Sequence, residues 1–166
     1  MNQLLLPLLL AGLVAGVSAS GSSSPNEGAQ GKRDYATLDV CQMIPGTVVA
    51  QALGATLSST RPFMDKTLSR CTYFVTPAGG AKPLGYAVWV QTASYFEDLK
   101  PHIDSPITPI AGLGDGAYTF QDKGDGRFKI NVLKRGDLML QVTGESAASA
   151  RKVADAVVAH LWKRAP

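Results

Sequence analysis

Residues 127–143 read RFKINVLKRGDLMLQVT, two runs rich in β-branched and large apolar residues split by Gly136-Asp137. Successive side chains of a strand point to opposite faces. Phe128, Ile130 and Val132 therefore share an inward face, and Lys129 and Asn131 point outward, as in an antiparallel sheet wet on one side. Gly136-Asp137 suits the positive φ angles of a hairpin turn, so 127–134 and 138–143 are read as neighbouring strands.

The same reading extends towards the N-terminus. Residues 117–120 form a strand delivered by the turn Gly112-Leu113-Gly114-Asp115-Gly116 and joined to the next by Lys123-Gly124-Asp125-Gly126. Residues 68–76 and 84–92 are dense in aromatic and β-branched residues and flank a Gly- and Pro-rich loop, which predicts a second hairpin. In its second strand Tyr86, Val88 and Val90 share one face, and Ala87, Trp89 and Gln91 the other.

Three helices complete the pattern. Pro45 opens a helix through 47–53, which Gly54 closes with a left-handed cap. Ser94 caps a brief helix over 95–99 that Pro101 ends. Residues 146–163 form the last, with Ala150, Val153, Ala154, Val157 and Leu161 as one apolar stripe that packs across the dry face. The expected fold is α+β: a mostly antiparallel five-stranded sheet packed by the C-terminal helix and a short N-terminal helix.

The ends of the chain speak to compartment. Residues 4–17 are LLLPLLLAGLVAGV, uncharged, followed by Ser18-Ala19-Ser20. This is the pattern of a secretory signal peptide over 1–19, cleaved after Ala19, although Met1-Asn2-Gln3 lacks the usual basic residue. An uncleaved anchor is the alternative, but the run is shorter than the roughly 20 residues a span needs and is broken by Pro7. Residues 20–34 read as a flexible Gly/Ser-rich tether, and 35–166 as one α+β domain.

Composition excludes several roles. With 45% hydrophobic and 17% charged residues and only two cysteines, the chain is neither disordered, collagen-like nor a multi-disulfide scaffold. A net charge of +3, carried by scattered pairs such as Lys32-Arg33 and Arg151-Lys152, gives no footprint for nucleic acid. In an exported chain the even pair Cys41 and Cys71 is read as a structural disulfide, not a redox couple, which would favour C-x-x-C spacing. Closing that loop is worth roughly 3 to 4 kcal/mol.

Catalytic and metal-binding patterns are missing from the sequence. Asp122-Lys123-Gly124-Asp125-Gly126 lacks the ligand spacing and terminal Glu of a calcium loop. The 112–116 turn lacks dinucleotide spacing, and Arg135-Gly136-Asp137 reads as a hairpin tip. His102 and His160 have no second ligand at metal spacing, and no nucleophile elbow or zinc-protease pair occurs. The reading therefore assigns no cofactor and no metal.

Five segments occur in an order that resembles a known group: Leu38-Asp39-Val40-Cys41, Ile44-Pro45 leading to a helix that ends Ala52-Leu53-Gly54, Arg70-Cys71-Thr72-Tyr73, 112–118, and the C-terminal amphipathic helix. Together they resemble the small actinobacterial envelope proteins, often lipoproteins, of a domain family of unknown function. The resemblance spans 39–162 and implies location and fold, with no catalytic residues to carry over. Ser20 stands where a lipoprotein has its lipid-bearing cysteine, so the expected mature chain is soluble outside the membrane.

These observations point to a noncatalytic module that binds an unidentified protein or ligand at the cell envelope. Loops held by a rigid scaffold commonly carry binding, which nominates Lys82 and Pro83, His102 in its Pro-flanked connector, and Asp115. A periplasmic inhibitor or immunity-type protein is a narrower version. A small envelope hydrolase with an acid/base site near Asp115 and His102 is the competing class.

Overall fold

The computed structural model describes residues 37–65, 68–80 and 82–162, so the expected leader over 1–19 and tether over 20–34 lie outside the described residues. The elements are α1 (Val40–Met43), α2 (Gly46–Leu53), β1 (Ala55–Met64), β2 (Ser69–Pro77), β3 (Leu84–Thr92), α3 (Tyr95–Asp98), a 3-10 turn (Lys100–His102), β4 (Thr108–Pro109), β5 (Gly116–Gln121), β6 (Phe128–Leu133), β7 (Leu138–Gly144) and α4 (Ala147–Trp162). The α+β class, the antiparallel sheet, the C-terminal helix and the disulfide are as expected.

The sheet has seven strands, not five, in the order β1-β2-β3-β7-β6-β5-β4, with every neighbouring pair antiparallel. The two additional strands are its edges. β1 reads ATLSSTRPFM and is exposed along most of its length, so no burial imposes an alternation on its sequence. Its pairing with β2 shifts register between Leu57 and Ser59, and it contains Pro62. A bulge and a proline both blunt an edge against further pairing. β4 is only two residues long and includes Pro109.

β7 lies at the centre and is buried along its whole length. On one face the register aligns Val88 with Val142 and Val90 with Leu140, then Val142 with Ile130 and Leu140 with Val132. These side chains form the core with α2 and with the Ala150, Val153, Ala154 and Val157 stripe of α4. α4 starts where Ser146 Oγ accepts the Ser149 N–H at 3.2 Å. Pro45 is the residue just before α2, and Gly54 closes the helix at φ 59°.

The N-terminal segment is fastened to β2 by three side chains that alternate onto the core face. Ser69 donates its hydroxyl to the Leu38 carbonyl. Cys71 is disulfide-bonded to Cys41, with Cα atoms 5.1 Å apart. Tyr73 donates its hydroxyl to the Ile44 carbonyl at 2.8 Å. Asp39 completes the segment by capping α1, its carboxylate accepting the Gln42 N–H at 3.1 Å.

The second face is where the expectation of a wet sheet is corrected. Asn131 is fully buried and Gln141 is 5% exposed. A layer made by α3, the 3-10 turn and the connector to β4 covers this part of the sheet, with Phe96, Ile103 and Ile107 packed on Tyr118, Phe120 and Met139. Gln141 Nε2 donates to Asn131 Oδ1 at 3.0 Å, which pairs one polar atom of each buried amide. Among the described residues no helix is long and apolar enough to cross a membrane.

Candidate functional site

The covering layer does not close over the whole second face, and a groove of about 240 Å³ remains beside it. Its base is set by strand register. Trp89 on β3 pairs with Gln141 on β7, Gln141 with Asn131 on β6, and Lys129, two residues before Asn131, with Phe120 on β5. All project from one face. Trp89, Gln141, Lys129 and Phe120 thus run diagonally across four strands. Tyr95, Leu99 and the connector residues His102 to Ser105 form one wall, and Asp122 to Gly124 the other.

Each wall is held by its own set of contacts. Phe96 anchors α3 by stacking on Tyr118, ring centroids 4.9 Å apart, and Tyr118 donates its hydroxyl to the Phe96 carbonyl at 3.1 Å. Burial pushes the Tyr118 phenol up to about 12, with the neighbouring Asn131 amide pulling the other way. Lys100 pairs with Glu97 at 2.8 Å and lies over the rings of Phe96 and Tyr118. Across the groove, Asp122 accepts the Gly124 N–H at 2.7 Å, which shapes the β5–β6 turn. Arg70 lies 5.3 Å from the Trp89 ring centroid and 4.8 Å from that of Phe63, a cation–π stack on the indole.

The electrostatics are nearly balanced. Asp122 is bonded to Lys129, and that ammonium, with the Gly124 amide, holds its carboxyl below the usual carboxylate range. A carboxylate so paired stays ionised at neutral pH and is a poor proton donor or acceptor for catalysis. Asp104 and Lys123 are the other two charges on the lining, one of each sign. A second, shallower cleft of about 570 Å³ shares Ser105, Phe120, Asp122 and Lys123 with the groove and continues towards Thr108 and Phe128.

Of the four residues nominated from sequence, one lines this groove. His102 lies on its wall. Lys82 and Pro83 are exposed between β2 and β3, outside the lining. Asp115 is a structural clamp: its carboxylate accepts the Arg135 N–H at 2.9 Å and lies 3.7 Å from Lys134 Nζ, while its own N–H donates to the Leu133 carbonyl at 2.9 Å. His102 and Asp115 are not brought together on the groove lining.

Trp89, Tyr95, Asp104, Asp122 and Gln141 were not nominated from sequence. Alternation sets Trp89 on the face opposite Tyr86, Val88 and Val90, and a large aromatic there is the signal the sequence offers. No motif links it to Tyr95 or Asp104, which arrive through the register and the covering layer. Among the described residues no group of three or more His, Cys, Asp or Glu side chains gathers to hold a metal ion. Comparison with protein-family models, with curated proteins and with solved structures gives no match in any of the three.

Proposed function

We propose that the chain is an exported, noncatalytic binding module of the bacterial cell envelope, and that its ligand occupies the groove between the α3 connector and the β5–β6 turn. The observation that carries this reading is the composition of the groove. Aromatic surface from Trp89 and Tyr95 lies beside a few polar groups, and its most firmly held carboxylate, Asp122, is ion-paired instead of poised for proton transfer. Small-molecule sites commonly combine apolar walls with a few placed polar groups.

Export and cleavage after Ala19 are part of the proposal, supported by the apolar leader, by the Cys41–Cys71 disulfide and by the resemblance to small envelope proteins. Disulfides persist in oxidising compartments. The hydrolase reading needs Asp115 to act with His102, and it draws no support from an Asp115 carboxylate engaged by Arg135 and Lys134.

Differential retention tests the proposal. Immobilised protein is exposed to envelope extract in parallel with Trp89→Ala and Lys82→Ala variants. The expected result is a component retained by the wild type and by Lys82→Ala and lost with Trp89→Ala. Retention that depends on Lys82 instead, or hydrolytic turnover abolished by Asp115→Ala, overturns it.

A further inference from the structure

The groove has a chemistry that selects among ligand classes, and this step rests on the binding reading above. We infer that its occupant is a neutral, polyhydroxylated ligand, a short glycan chain.

Charge is the first discriminator. The lining carries Asp104 and Asp122 against Lys123 and Lys129, with the Arg70 guanidinium against the Trp89 indole, so charges of both signs surround the groove. A phosphate, sulfate or uronate group entering the groove meets two carboxylates, and a cation meets two ammonium groups. An uncharged ligand incurs neither repulsion, and paired charges of both signs supply donors and acceptors together.

Shape is the second. The groove, at about 240 Å³, lies below the roughly 300–1,000 Å³ of drug-sized sites and suits a single ring. The cleft that shares four residues with it gives the neighbouring units of a chain a path. A sugar ring has apolar C–H faces and a polar rim. The indole of Trp89 and the phenol of Tyr95 offer the flat apolar surface, and Asp104 and Ser105 offer hydrogen-bonding groups beside it. Arg70 stacks on the indole, 5.3 Å from its ring centroid, which restricts that side chain before a ligand arrives.

The edge geometry argues against an extended peptide, the other chain-like ligand. A peptide added as a strand needs main-chain donors, and the edge beside the cleft is the two-residue β4, with Pro106 and Pro109 lacking N–H groups.

The test is calorimetric titration of the protein with cellotriose, maltotriose, mannotriose and triacetylchitotriose, with trigalacturonate as the acidic control, extended to an array of neutral hexose, N-acetylhexosamine and pentose oligosaccharides. The expected result is binding to at least one neutral glycan, weakened about tenfold or more by Trp89→Ala and by Tyr95→Ala. Tyr95 is 39% exposed, so its removal leaves the core intact. Preference for trigalacturonate over every neutral glycan, or no neutral glycan bound anywhere on the array, overturns the inference. In that event, retention of an envelope component that still depends on Trp89 leaves the binding reading standing; loss of that retention removes both.

Discussion

Tyr73 donates its hydroxyl to the Ile44 carbonyl at 2.8 Å, at the point where the chain leaves α1 for α2. Tyr73 is fully buried, and burial holds its phenol well above the usual tyrosine range, so it stays a donor at any physiological pH. Tyr73→Phe keeps the ring and leaves that carbonyl without its donor. The expected loss is about 1 to 2 kcal/mol in urea unfolding, with an unchanged m value.

The disulfide two residues away acts on the same segment. Replacing both Cys41 and Cys71 by Ala is expected to lower stability by about 3 kcal/mol, mainly by freeing the unfolded chain. Combined with Tyr73→Phe, the loss should differ from the sum of the separate losses, because both interactions hold residues 38–44 to β2. Strict additivity in the triple variant would contradict a shared role.

Alkaline pH isolates the anchor of the covering layer. The Tyr118 phenol titrates at about 12 in the folded protein, against about 10 unfolded. Its contribution is complete below pH 10 and is lost as pH rises through the folded value. Tyr118→Phe should therefore lower stability at pH 7 by removing the bond to Phe96, yet reduce the steepness of the decline between pH 10 and 12. Equal slopes in denaturant midpoint against pH would refute this.

Gly114 and Gly112 separate backbone conformation from close approach. Both have positive φ, 62° and 71°. A Cβ at Gly114 would lie 2.6 Å from the Leu133 carbonyl and from Val132 Cγ1, whereas one at Gly112 would meet nothing within 4 Å. Gly112→Ala should cost about 1 kcal/mol and Gly114→Ala roughly 2 to 4 kcal/mol. Similar thermal midpoints for the two variants would contradict the packing account.

Legibility from the sequence followed burial. β6 and β7 pair as their alternation and turn residues imply, and the α4 stripe falls on the core face, because one face of each is dry. β1 escaped notice because Ser, Thr and Arg on an exposed edge carry no period, and β4 because two residues cannot. Asn131 reads as an outward polar residue, and only the layer carrying Phe96, Ile103 and Ile107 makes it interior. Of the site, His102 was legible as a residue on a constrained connector. Trp89 and Asp122 lie on strands β3 and at the end of β5, separated by more than thirty positions in sequence and joined only by the tertiary fold.

Hydrogen exchange read by mass spectrometry, with and without envelope extract, tests the central claim most directly. The account predicts slowed exchange in segments 99–105 and 120–129, which frame the groove, and its disappearance in Trp89→Ala. Protection confined to the 77–84 loop, or none in any segment, would contradict it.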